Sequence, residues 1–116
     1  MAGERILHVG YDPVLTELRE GVLGRNGYEV VSAIGNEAAK RAAEDSFDLV
    51  IIGNGGTVEE RAEIVKWFAK RRIKLPVLVM RAGPDEHFPQ ATVEFIGATP
   101  EDWISSIRRA VQSKKR

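Results

Sequence analysis

A chain of 116 residues, 43% hydrophobic and without cysteine, has room for one domain with its own core. It excludes a disulfide framework, a thiol nucleophile and a cysteine-based zinc site. Its 17 basic and 17 acidic residues cancel, well short of the basic composition of a nucleic-acid binder.

The charge is nonetheless split: 5 basic and 9 acidic residues through Val58, then 12 and 8 from Glu59 onward. Such a dipolar surface can steer a charged partner. No stretch reaches the ~20 apolar residues of a membrane span, and "MAGERILHVG" lacks a signal-peptide core. A single cytoplasmic domain over 1–116 is therefore expected, without a membrane partner.

The first apolar run, "RILHV", is nearly continuous, as are "DLVII" and "LPVLVM" further on. Strands covered on both faces read this way. His8, inside that run, reads as a packed core residue; no second metal-type residue has helpful spacing. Asp12-Pro13 then opens a helix, with a capping side chain and proline at the first helical position. Val14, Leu15, Leu18, Val22 and Leu23 form its apolar stripe, and Asn26-Gly27 ends it.

"YEVVSA" is the second strand. Asn36 is the expected cap of the next helix, "EAAKRAAEDS", whose alanine face (Ala38, Ala39, Ala42, Ala43) suits close packing on a sheet. After the third strand, "DLVII", the chain turns through Gly53-Asn54-Gly55-Gly56. Thr57 is placed to cap "VEERAEIVKWFAKRR", with Ile64, Val65 and Phe68 at helical spacing. Its basic end, "KRRIK" from Lys70 to Lys74, complements the helix dipole.

The fourth strand, "LPVLVM", is followed by "RAGPDEHFPQA", where Gly83, Pro84 and Pro89 argue against a regular helix. A parallel crossover normally takes a dozen or more residues, usually helical, so the helix expected here is shortened or missing. "TVEFIG" is the fifth strand. The last helix, "PEDWISSIRRAVQ", carries Trp103, Ile104, Ile107 and Val111 as its stripe and ends in the basic Lys114-Lys115-Arg116. Trp67 and Trp103 both sit on helical stripes, where packing is their ordinary role. Alternating strands and helices give a parallel sheet with right-handed crossovers and helices on both faces.

"RILHVGYDP", "NGYEVVSAIGNEAAKRAAEDSFDLVII" and "LPVLVM" together resemble the receiver domain of bacterial two-component response regulators in order and spacing. The correspondence runs from Arg5 to Ile52, continues to Met80 and resumes at Pro100 with "PEDWISSIRRAV". The resemblance implies a flavodoxin-like (CheY-like), doubly wound α/β fold of five parallel strands in order 2-1-3-4-5, functional at the carboxyl ends of its strands.

Receiver chemistry requires two acids after the first strand and an aspartate ending the third, which together hold magnesium. A hydroxyl after the fourth strand and a lysine after the fifth bind the phosphoryl oxygens. On this sequence the acidic pair falls on Gly10 and Tyr11, and the phosphoacceptor falls on Gly53, followed by Asn54. The hydroxyl position falls on Arg81 and the lysine position near Ile96. None of these groups is present. Asn54 is too weak a nucleophile to replace the aspartate, and Asp12, a lone carboxylate before proline, reads as a helix cap.

Three features of this emptied crevice carry alternatives. Arg81 either fills the space beside Gly53 as an anion anchor or pairs with Asp85 or Glu86. Gly55, Gly56 and Thr57 either form a nest of backbone amides or simply turn the chain into the Thr57 cap. Tyr11 closes the pocket or presents its ring to a partner.

The expected protein is therefore no enzyme and carries no metal or cofactor. It is a receiver-like fold that cannot be phosphorylated, acting as a protein-interaction module in signalling. The alternative is a sensor binding a small anion or nucleotide through Gly55, Gly56, Thr57 and Arg81.

Loss of the fourth helix should uncover Leu78, Met80, Val93, Phe95 and Ile96, with the replacing loop and an inward Phe88 as partial cover. The expected surface for a protein partner or self-association lies on the last two strands and last helix, at Met80, His87, Phe88, Phe95 and Trp103. Nucleic acid is not expected there: "KRRIK" and Arg108-Arg109 form no obvious common patch.

Overall fold

The computed structural model describes residues 3–71, 74–97 and 99–114. Five strands form one parallel sheet: β1 (Arg5–Gly10), β2 (Glu29–Ile34), β3 (Leu49–Ile52), β4 (Val77–Met80) and β5 (Val93–Phe95). Their order is β2-β1-β3-β4-β5, as expected. Four helices connect them: α1 (Pro13–Arg25), α2 (Asn36–Ala42), α3 (Val58–Arg71) and α4 (Pro100–Lys114). Arg72, Ile73, Lys115 and Arg116, parts of the two basic stretches, lie outside the described residues. Among the described residues no helix is long and apolar enough to cross a membrane.

Local signals set several boundaries. The Asp12 carboxylate accepts from Val14 N at 2.9 Å and Leu15 N at 3.2 Å, starting α1. Gly27, at φ +90°, ends it in a conformation that glycine adopts freely. At α3 a reciprocal capping box forms: Thr57 Oγ1 accepts from Glu60 N at 3.0 Å, and Glu60 Oε1 accepts from Thr57 N at 2.9 Å. Asn36 does not cap α2. That position is held by Gly35, without a side-chain bond, because the Asn36 side chain is drawn across to α3.

The sheet separates two cores. On one face Leu7, Val9, Val50, Ile52, Val77 and Val79 pack beneath α2 and α3; on the other Ile6, Leu49, Ile51, Leu78, Met80 and Phe95 pack beneath α1 and α4. The stripes of α3 and α4 are buried as read from sequence, and the alanine face of α2 is buried at Ala39 and Ala43 and partly buried at Ala38 and Ala42.

The α1 stripe is buried at Leu23 and partly buried at Leu15 and Val22, but not at Val14 and Leu18. Val14 is 69% and Leu18 63% exposed, and the residues this helix buries are Thr16 and Leu23. Gly10 is the cause: a Cβ there would lie 1.8 Å from Thr16 Oγ1. The empty position lets Thr16 descend onto the sheet, and Val14 and Leu18 turn outward.

No helix joins β4 to β5. The face this opens is not the one expected. Leu78, Met80 and Phe95 are buried against α4; of the five side chains expected to be uncovered, Ile96, at 52%, is the exposed one, while Val93 is partly buried. Strand alternation decides this, since a missing helix on the α3 side leaves Val77 and Val79 to be covered, not Leu78 and Met80. The 81–92 loop covers them by inserting Phe88, which is 1% exposed.

Candidate functional site

The carboxyl ends of β1 and β3 meet at Gly10 and Gly53. The Gly53 amide donates to Val9 O at 2.8 Å, and a Cβ on Gly53 would lie 3.9 Å from Gly10 Cα. Neither position carries a side chain. The space beside Gly53 is taken by α1: Arg19 Nη1 lies 3.2 Å from the Cβ position, and Nη2 donates to Asn54 Oδ1 at 3.0 Å. A guanidinium thus stands where the resemblance would place a carboxylate and its metal.

Tyr11 closes the crevice. Its ring lies over Gly56, where a Cβ would come within 2.8 Å of ring carbons. Its hydroxyl donates to Asn36 Oδ1 at 2.7 Å, while Asn36 Nδ2 donates to Glu60 O and Glu63 Oε1 at 2.9 and 2.8 Å. Burial, reinforced by the Glu60 charge, pushes the phenol above its ordinary pKa. The ring is a fixed lid, and the alternative of a presented aromatic is not the one adopted.

Arg81 does not enter this space. Its Nη2 donates to Pro84 O and its Nε lies 3.8 Å from Glu94 Oε1, an ion pair too long for a hydrogen bond. Neither Asp85 nor Glu86 is its ion-pair partner. The Gly55–Thr57 turn is also committed: Thr57 N is bonded to Glu60, and Gly56 O accepts from Arg61 Nε at 3.1 Å. Ile96, exposed at the lysine position, supplies no charge.

Four of the six expected crevice residues therefore converge: Gly10, Tyr11, Gly53 and Asn54. Of the expected partner surface, Met80, Phe88, Phe95 and Trp103 are buried, between 1% and 9% exposed, and His87 is exposed.

Two arginines were not singled out from sequence. Arg19 is one. The other is Arg61, 2% exposed, which holds the 81–92 loop. Its Nη1 and Nη2 each donate to a Glu86 oxygen at 2.7 Å, and Nη1 also donates to Met80 O at 3.2 Å. The guanidinium carbon sits 5.3 Å from the Phe88 ring centroid. This pairing holds the Glu86 carboxyl down at about 2. Its signal was present: Arg61 shares the helical stripe of Ile64, Val65 and Phe68.

His8 is fully buried on the α1 side with both ring nitrogens unpaired. Burial, and then the Arg19 charge, lowers its pKa to about 4, so the ring is neutral. Among the described residues no three His, Cys, Asp or Glu side chains cluster to hold a metal ion.

No protein-family model matches this sequence, and comparison with curated proteins yields no relative. Solved structures do match. A CheY-like receiver domain protein from Methanospirillum hungatei is 18% identical, with a TM-score of 0.86 over 98% of both chains. Response regulator TrrA of Thermotoga maritima, in complex with Mg2+ and BeF, is 21% identical, with a TM-score of 0.80 over 93% of this chain and 98% of that one. Chemotaxis response regulator CheY4 of Vibrio cholerae is 21% identical, with a TM-score of 0.78 over 94% and 99%. At these identities the likeness establishes a CheY-like receiver fold.

Proposed function

We propose that this protein is a receiver-like module that does not accept a phosphoryl group and acts in signal transduction by binding another protein. The observation that carries the reading is at the end of β3: the acceptor position is Gly53, and the Arg19 guanidinium occupies the adjoining space. The positions of the metal-binding acids are Gly10 and Tyr11. No nucleophile–base pair converges at the crevice, which supports a non-enzymatic role.

The presented surface is held in one state. Receivers that switch need a bistable element, but here the 81–92 loop is fixed by Arg61–Glu86, by buried Phe88, and by Phe88 N donating to Glu94 Oε1 at 3.1 Å. Exposed His87 and Ile96 then form a constitutive contact surface beside β5, which replaces the surface expected from Met80, Phe88, Phe95 and Trp103. The anion-sensor alternative is not favoured at the crevice, because Arg81 and the Thr57 amide already have partners.

Incubation with acetyl phosphate and magnesium, followed by intact-mass measurement, should show no phosphoryl adduct. Capture of a partner from native-cell extract should be abolished by Ile96→Asp and unaffected by Gly53→Ala. A stable adduct, or capture indifferent to Ile96, would overturn the reading.

A further inference from the structure

An open groove of about 240 Å³ lies on the other side of the sheet from the loop, between α1 and the end of β5. Its walls include Leu18, Val22, Met80, Phe95 and Trp103, and they are apolar except where Arg19 and Thr99 enter. The Thr99 hydroxyl is engaged, accepting from Asp102 N at 3.1 Å. Arg19 is the group whose chemistry is left open.

A guanidinium has five N–H donors, and the side-chain bond that Arg19 makes is to the neutral amide of Asn54. Among the described residues it has no ion-pair partner, unlike Arg5, Arg61 and Arg81. A partly buried cation without a counter-charge is costly, and burial indeed lowers the Arg19 pKa with no carboxylate opposing the shift. In the same groove wall Trp103 Nε1 is buried without an acceptor. The cavity thus combines one unneutralised cation with an apolar floor to which Trp103 contributes.

We infer that this groove binds a small organic carboxylate, aromatic or branched aliphatic, with the carboxylate on Arg19 and the apolar body against Val22, Met80, Phe95 and Trp103. A planar carboxylate matches the fork of guanidinium donors. Inorganic phosphate or a nucleotide fits poorly, since such anions need several donors or cations and this floor is apolar. The site shares Arg19 with the crevice beside Gly53, does not involve Arg81, and does not depend on the protein-binding role.

Phenylacetate is a suitable probe, titrated into the 116-residue chain and followed by proton–nitrogen correlation spectra. Trp67, packed on the opposite face against the α2–α3 core, is an internal control. Phenylacetate should move the Trp103 indole and Arg19 side-chain signals saturably and leave the Trp67 indole in place. Phenylacetamide, which lacks the charge, and inorganic phosphate should each bind at least about tenfold more weakly. Arg19→Met should weaken phenylacetate to a similar degree. Leu18→Glu, at a side chain exposed enough to leave folding intact, should do the same by adding a like charge at the rim. An unmoved Trp103 indole, equal binding of phenylacetamide, or unchanged affinity in Leu18→Glu would overturn the assignment.

Discussion

Arg61 of α3 and Glu86 of the 81–92 loop face each other with both guanidinium–carboxylate contacts at 2.7 Å, and their side chains are 2% and 16% exposed. Glu86 also accepts from Ala82 N at 2.7 Å, and Arg61 from the other side donates to Gly56 O and Met80 O. The pair therefore spans three segments: the turn after β3, the end of β4, and the loop that stands in for a helix. A short irregular loop cannot satisfy its own backbone as a helix does; here charged side chains take over part of that task.

Removing one partner should be severe. Arg61→Met leaves a largely buried carboxylate without its counter-charge, and a loss of about 3–5 kcal/mol in urea unfolding is expected. The double variant Arg61→Met with Glu86→Leu should recover much of that loss, because neither charge is then stranded. Little coupling between the two sites in a double-mutant cycle would count against the clamp.

The same pair sets an acid limit. The folded carboxyl of Glu86 sits at about 2 against an ordinary 4.5, so between those values the unfolded chain binds the proton more readily. Its contribution is complete above pH 4.5 and is lost as pH falls toward 2, on the order of 2–3 kcal/mol in all. Glu86→Gln should remove this component of acid unfolding while lowering stability at neutral pH.

His8 should act in a higher window. The folded ring titrates at about 4 against an ordinary 6.5, so protonation favours the unfolded chain across that interval. Stability should fall as pH drops from 6.5 to about 4, by at most about 3–4 kcal/mol. His8→Leu also removes two unpaired nitrogens from the core. Its stability should be equal or higher at neutral pH and nearly flat across the window, as read by chemical denaturation at its two ends. Parallel curves for the two proteins would exclude this role.

Phe88 tests what the loop covers. Phe88→Ala should cost about 3–5 kcal/mol and expose Val77 and Val79, read as dye binding to apolar surface and faster amide exchange in β4. An unchanged exchange pattern would mean that α3 alone protects that face.

These outcomes also mark where sequence reading succeeds. The Thr57 cap and the absent helix were legible because both are local: one is a capping residue ahead of an apolar helical pattern, the other a cluster of Gly83, Pro84 and Pro89. The parallel sheet followed from the alternation of elements, and the strand order from the resemblance. On α1 the buried Leu23 was legible, but Thr16 was not, because its place depends on Gly10 meeting it across the chain. Arg81 was one candidate for filling the crevice from its place after β4, but it bonds to Pro84 O and lies near Glu94 instead; Arg19 arrives from α1, where it was not singled out. Arg61 sat in plain view on an apolar stripe, where a buried charge announces a partner without naming it.

Restoring receiver chemistry should fail for reasons that the two glycines make separate. In Gly53→Asp the new Cβ meets Arg19 Nη1 at 3.2 Å and Val9 O at 3.3 Å. The arginine end can yield and the backbone cannot, so modest strain is offset by a new ion pair, and stability should stay within about 1 kcal/mol of the parent. The carboxylate is then engaged by Arg19, and acetyl phosphate with magnesium should still leave no adduct. Gly10→Asp is different: its Cβ falls 1.8 Å from Thr16 Oγ1, a collision that must displace α1, and a loss of about 2–3 kcal/mol is expected. Adding Thr16→Ala to Gly10→Asp should relieve most of that strain. If Gly10→Asp alone were as stable as the parent, α1 would not be seated by the missing side chain, and the exposure of Val14 and Leu18 would need another cause.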